Sequence, residues 1–452
     1  MRRALVFISF VALAIPASAS SLPEKSTNPR TPIEHFIVLM QENHSFDNYF
    51  GTYPGAGGLP AGTCVPVDPG RPGGRCIRPF HIGDNDVQPA DLDHSQSTYD
   101  RQYNRGRLDG FIHALNLRNQ DGRLALGYYD GRDLPYHWNV ADRYVLFDRF
   151  FSSAGAGSFK NHMYWAAGQG GERDRIPENG YTIPTIFDRL EARGISWKFY
   201  VQNYEPRLNY RTLGQFPAQR TAQVVWVPLL NFDRFTNDST LASHIVDLSE
   251  YFEDLHRGTL PAVAYIAPSG PSEHPPSSLA SGQAFVRTLI TSLMESSHWK
   301  SSAFLYTYDD WGGWYDHVRP PKVDADGYGF RVPALLVSPY ARRGYIDHTP
   351  LDFTSILAFI EHNWRLPPLA SRDARAKTFV EALDFSSPPR PAVLIPAERR
   401  AATTHERKRA DLIIYAGYGL GLALAVALVL AAAVIDRRRS RLEPAKAEGF
   451  PW

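Results

Sequence analysis

The chain has 452 residues, 43% of them hydrophobic and 21% charged, the composition of a folded globular protein, which excludes the disordered and low-complexity classes. Forty-eight Lys and Arg against 47 Asp and Glu leave a formal net charge of +1, so no overall field draws the molecule to polyanions and no nucleic-acid partner is expected. A mean hydropathy of −0.32 excludes a polytopic membrane protein but leaves room for apolar segments at the two ends.

Residues 1–20 carry Arg2 and Arg3, a short apolar run and then Ala17, Ser18 and Ala19, which reads as a secretory signal peptide with the mature chain starting near Ser21. A first strand is expected at 36–40, followed at once by Gln41, Glu42, Asn43 and His44. The only cysteines, Cys64 and Cys76, lie in a Gly/Pro-rich loop. In an exported chain a disulfide is their first expectation, contributing about 3 kcal/mol by loop entropy. Gly155 and Gly157 permit a tight turn into a helix over 159–167, with Ser158 at its N-terminus and Asn161 on the same side of the first turn. A helix over 185–193 stops at Gly194, and strands follow at 197–201 and 262–266. The second of these is followed by Ser272, Glu273 and His274. A helix over 283–295 precedes a strand at 304–308 that runs straight into Asp309 and Asp310, then Asp316 and His317. A strand at 334–337 and a helix over 353–364 complete the body, which spans 21–385. Residues 386–411, with Pro388, Pro389, Pro391 and Pro396, read as a linker. The 24 uncharged residues 412–435 read as a transmembrane helix, and the Arg-rich 436–452 as a cytoplasmic tail, which anchors the exported body in the cytoplasmic membrane.

Near-continuous apolar strands alternating with helices predict an α/β fold, a mostly parallel sheet covered by helices on both faces. Ligands of such sheets bind beyond the carboxyl ends of the strands. Three strands here deliver carboxylate, amide or imidazole groups to that edge, whereas a single polar group after a strand is ordinarily a turn residue or cap. Adjacent carboxylates such as Asp309 and Asp310 repel, and a cation between them and Glu42 resolves the conflict. With Asn43 the set is rich in oxygen and suits one divalent metal ion. Ser158 at a helix start reads alone as an N-cap, but backbone N–H groups there also favour an anion, and a nearby metal makes the hydroxyl a nucleophile. His44 and Asp47 read as braces of the first loop. Asp316 and His317 read either as groups orienting the Asp pair or as loop supports, and Trp311, Trp314 and Tyr315 either as a cage for a quaternary ammonium group or as core.

Residues 33–51, IEHFIVLMQENHSFDNYFG, resemble the opening motif of the bacterial phosphoesterase family that contains phosphatidylcholine-type phospholipases C and acid phosphatases, within the alkaline phosphatase superfamily. Further matches are Asp93-His94-Ser95, Leu108-Asp109-Gly110-Phe111, Gly157-Ser158 with Asn161, Ser272-Glu273-His274-Pro275, and 308–318, YDDWGGWYDHV, together covering about 31–365. The resemblance implies an alkaline-phosphatase-like fold and one metal held by Glu42, Asn43, Asp309, Asp310 and the Ser158 hydroxyl. It implies that Ser158 is transiently phosphorylated while His94, Asn161 and His274 contact the phosphoryl oxygens or the leaving group. The expected substrate is a phospholipid headgroup or a small phosphomonoester, and the expected membrane contact is through the C-terminal helix. The chain has Asp309-Asp310 where the family often has Asp-Glu, and the stretch 204–221 lacks the histidine pair of some acid phosphatases. A sulfatase is excluded because Phe159, Lys160, Asn161 and His162 follow Ser158. The alternative from another class is a catalytically inactive surface-tethered binding protein on the same fold.

Overall fold

The apolar runs become strands whose successive residues are buried alike, so both faces of the sheet are covered. The computed structural model describes residues 27–399 apart from 72, 84–89, 173–174, 271 and 276. Its central sheet has eight strands: β1 His35–Gln41, β2 Val145–Phe147, β3 Trp197–Val201, β4 Ile245–Asp247, β5 Val263–Ala267, β6 Ser302–Tyr308, β7 Ala334–Val337 and β8 Tyr345–Asp347. In space they run β8-β2-β7-β6-β1-β5-β3-β4. β1 pairs in parallel with β6 from His35 opposite Ser302 to Gln41 opposite Tyr308, and with β5 on its other side. β7 alone runs against its neighbours β6 and β2, which makes the sheet mixed. The sequence located β1, β3, β5, β6 and β7 to within about two residues, but not the three-residue strands β2, β4 and β8, which are too short for a periodicity to show.

The helices that matter for the site are α1 Phe46–Phe50, α2 Pro135–Arg143, α3 Ser158–Ala167, α4 Ile186–Arg193, α5 Leu279–Glu295 and α6 Phe353–Trp364. Local signals fix their ends. Thr185 and Asp188 form a reciprocal capping box at α4, and Gly194 closes it in the left-handed region at φ 67°. α5 starts a turn earlier than its apolar spacing predicts because the Ser278 side chain accepts from the Ser281 backbone N–H. Cys64 and Cys76 are joined in a disulfide that closes their loop. A second, smaller core holds Trp311, Trp314, Tyr315, Phe111 and Phe330. Trp311 and Trp314 are at most 1% exposed, so these rings pack the interior and form no cage for a cationic headgroup.

The expected fold class requires one correction, its membrane-spanning helix. Among the described residues no helix is long and apolar enough to cross a membrane. The 17-residue α5 falls short of the ~20 residues a span needs and alternates buried with exposed positions. Residues 412–435, on which that expectation rested, lie outside the described residues, as do 1–20 and 436–452. Residues 386–399 lie against the body: Asn139 Nδ2 donates to the Pro396 carbonyl at 2.9 Å, and Trp299 Nε1 to the Arg390 carbonyl at 2.9 Å.

Candidate active site

The parallel register of β1 and β6 ends both strands at one level, and the chain then turns sharply. Asn43 adopts φ 63°, a left-handed conformation that Asn tolerates better than most residues. Its backbone N–H donates to Asp309 Oδ1 at 2.9 Å, and the Asp309 N–H donates to the Gln41 carbonyl at 3.0 Å. Asp310 Oδ1 accepts from the Gly312 N–H at 2.9 Å. One end of the Asn43 amide lies 3.1 Å from Asp310 Oδ1 and 3.3 Å from Asp309 Oδ1, and the other 3.0 Å from His274 Nε2. With nitrogen inward the amide donates to both carboxylates; with oxygen inward it adds a third oxygen to theirs.

Glu42, Asn43, Asp309 and Asp310 are at most 1% exposed. Both carboxylate oxygens of Glu42, with Asp309 Oδ2 and Asp310 Oδ2, lack a partner in good hydrogen-bond geometry, the Trp226 side chain giving Glu42 only a minor donor. Buried anionic oxygens without donors are costly, and such a set is what a divalent cation satisfies. The electrostatics agree. Burial, then the charges of Asp309 and Asp310, pushes Glu42 well above the ordinary carboxylate range. Burial and Asp309 push Asp310 up to about 7.

α3 brings the next groups. Gly157 holds the cap position at φ 95°, so Ser158 is the first helical residue and not the cap. Asn161 is fully buried; its Oδ1 accepts from the Ala154 N–H at 2.8 Å, while its Nδ2 has no partner. One turn beyond Ser158, His162 places Nδ1 2.8 Å from the Ser158 carbonyl oxygen and Nε2 3.4 Å from Glu42 Oε1. Ligand atoms of Glu42, His162 and Asp309 lie within 4.8 Å of one another. His162 was not singled out in the sequence. Its signal was the spacing of four residues from Ser158, which sets both on one helix face.

His94 and His274 flank the outer end of the Asn43 amide. His94 Nε2 is 3.5 Å from it, and Nδ1 is 2.7 Å from the Leu92 carbonyl oxygen. Burial opposes the charge on His94, but Asp310, the Leu92 carbonyl and Asp309 outweigh it and raise the imidazole above its usual range. His274 is held by Nδ1, 2.7 Å from the Pro275 carbonyl oxygen. The loop that carries it hangs on the buried carboxylate of Glu273, which accepts from Tyr49 Oη at 2.6 Å and Tyr308 Oη at 2.7 Å and lies 3.0 Å from His137 Nε2 on α2. α5 makes room for Glu273 with Gly282, where a Cβ would collide with the Glu273 side chain.

Asp316 and His317 belong to a separate brace. The guanidinium of Arg331 donates to Asp316 Oδ1 at 2.9 Å, to Asp47 Oδ1 at 2.9 Å and to the Gly57 and Asp148 carbonyls at 2.7 and 2.8 Å. His317 Nδ1 lies 2.6 Å from Asp47 Oδ2. These carboxylates already face a fixed cation. His44 also braces, between Asn48 Oδ1 at 2.8 Å and the Glu273 carbonyl at 3.1 Å.

The mixed α/β sheet thus gathers buried carboxylates, an amide and imidazoles at the carboxyl ends of its strands, the edge at which ligands of such sheets bind. Residues 33–367 match the phosphoesterase family, and the chain belongs to that family. It is accordingly a hydrolase of phosphoric ester bonds. The chain is 28% identical over 432 residues to phospholipase C B of Mycobacterium tuberculosis, covering 80% of each chain. It is 30% identical over 448 residues to the non-hemolytic phospholipase C of Burkholderia pseudomallei, covering 83% of this chain and 62% of that one. Among solved structures, a protein in the alkaline phosphatase superfamily from Vibrio parahaemolyticus is similar with a TM-score of 0.35 and 11% identity, over 74% of this chain and 68% of that one.

Proposed function

We propose that the chain cleaves its phosphoester with Ser158 as nucleophile, through a phosphoserine intermediate, beside one divalent metal ion held by Glu42, Asn43, Asp309, Asp310 and the Ser158 hydroxyl. The observation that carries this reading is the convergence of four unpartnered, buried carboxylate oxygens at the ends of β1 and β6. A bound divalent ion supplies positive charge that lowers the pKa of a coordinated hydroxyl and neutralises phosphoryl oxygens.

The chain's own groups do the rest. The start of α3 points backbone N–H groups and the positive end of its dipole toward an anion at Ser158. Asn161 keeps its Oδ1 on the turn and has Nδ2 free to donate to a phosphoryl oxygen. His94 and His274 stand at the outer rim, each with Nδ1 beside a backbone carbonyl and Nε2 directed to the Asn43 amide. A carbonyl oxygen only accepts, so each Nδ1 carries a proton there, and Nε2 faces the site to exchange a proton with the leaving group. The substrate is a phospholipid headgroup or a small phosphomonoester; the relatives named as phospholipases C favour the first.

The test is hydrolysis of p-nitrophenyl phosphate against p-nitrophenylphosphorylcholine, with Ser158→Ala as control. Loss of at least about a thousandfold in Ser158→Ala is expected for a nucleophile. Preference for the choline diester makes it a phospholipase C, and preference for the monoester a phosphatase. Turnover that survives Ser158→Ala rejects the phosphoserine route, and no turnover with any of several divalent metals leaves a binding protein on the same fold.

A further inference from the structure

The geometry points to His162 as a nitrogen ligand of the same metal ion, a donor additional to the oxygen set. This rests on the metal reading above and extends it. His162 Nδ1 is 2.8 Å from the Ser158 carbonyl oxygen. A carbonyl oxygen only accepts, so Nδ1 carries the proton and, in the neutral ring, Nε2 presents a lone pair. Nε2 lies 3.4 Å from Glu42 Oε1, and Glu42 Oε1 receives no hydrogen bond. Two acceptors thus face each other in a site where both residues are 1% exposed, and Asp309 completes the triangle within 4.8 Å. A cation bridging them satisfies all three at once. Neutral imidazole is a common metal ligand, and its orientation by a hydrogen bond from the other ring nitrogen to a backbone carbonyl is the usual supporting arrangement.

Two consequences follow. An imidazole among carboxylates shifts preference from calcium and magnesium toward iron, nickel or zinc. The link also runs through the nucleophile: the ring that binds the ion is fixed by the backbone of Ser158, so ion and hydroxyl are held in one frame.

The test uses the full chain, stripped with a chelator and loaded with Mn²⁺. Nitrogen couplings are read by electron spin-echo modulation, with ¹⁵N-histidine labelling to separate imidazole from amide, and affinity by calorimetry. The wild type is expected to show a directly bound imidazole nitrogen that His162→Gln abolishes and that His94→Gln and His274→Gln retain. Mn²⁺ affinity should fall in His162→Gln by at least the about 10–100-fold that loss of a ligand's supporting hydrogen bond costs. Mn²⁺ bound without an imidazole signal, or with one that persists in His162→Gln, overturns the assignment and leaves the oxygen-held metal standing. Failure of the wild type to bind Mn²⁺, Zn²⁺ or Ca²⁺ overturns the metal reading itself. Absence of an imidazole signal in the wild type overturns the assignment even where a variant does not fold, and survival of the signal in folded His94→Gln and His274→Gln supports it.

Discussion

Gly312 shows how a residue without a side chain shapes the chemistry. It sits at φ 60°, its N–H donates to Asp310 Oδ1 at 2.9 Å, and a Cβ there would collide with the Asn43 carbonyl oxygen. Gly312→Ala has to move either the Asn43 turn or the Asp310 carboxylate. It is expected to destabilise by about 2 kcal/mol or more and to weaken metal binding. Urea unfolding and calorimetry on the same preparation check both effects; unchanged values for both would show that the turn has slack. Asn43 drew attention in the sequence as an oxygen donor next to Glu42 within the family-like opening motif, and the fold sets it beside Asp309 and Asp310. His162 drew none, because its meaning depends on Glu42, 120 positions away in the chain, facing the same helix.

At the scale of elements, α6 carries a titration remote from the site. Glu361, near its C-terminal end, is 5% exposed, and burial together with Asp373 pushes it from 4.5 up to about 9. Its Oε1 and Asp373 Oδ2 both face the Leu369 N–H, at 3.2 and 2.6 Å. Between those two pH values the folded chain keeps a proton that the unfolded chain has released. The unfolded state then binds fewer protons, and stability falls as pH rises from about 4.5 to about 9. Urea denaturation midpoints should decline over that window and decline less in Glu361→Gln; parallel profiles in the two proteins would reject the assignment. The elements themselves were read unevenly from the sequence. β1 and β6 stood out because a fully buried strand is a continuous apolar run. The reversed direction of β7 left no trace, since strand direction is set by partners and not by composition. Tyr49 and Tyr308 carried no signal of their own in the sequence, and only the fold shows that their hydroxyls hold Glu273.

In the whole molecule, Arg331 is the buried tie between loops that hold the site. Its guanidinium joins Asp47 after β1, Asp148 after β2 and Asp316 after β6, and it lies 4.5 Å from the Phe46 ring centroid. Arg331→Met removes the guanidinium that two buried carboxylates share, leaving Asp47 only His317 and Asp316 only backbone N–H groups, and is expected to cost about 3–5 kcal/mol. Denaturation curves for Arg331→Met beside Asp47→Asn/Arg331→Met/Asp316→Asn test this. A triple variant no more stable than the single one would show that the lost stability lies in packing and not in stranded charge. The body of the molecule and the edge where its polar groups gather were visible in the sequence, through apolar runs that end in carboxylates. What joins the loops behind that edge was not, because Arg331 lies beside a strand with no neighbouring residue to announce its partners.

The backbone of Asn43 binds a carboxylate 266 positions further along the chain. No local segment contains even half of the proposed metal set, so these groups do not meet until β1 and β6 lie side by side. Loops that long close late and slowly compared with local structure. On the metal reading proposed above, an ion would therefore be no template that gathers the chain around it during refolding. It would meet a finished edge and act as a latch, holding the two central strands together once the slow step is over.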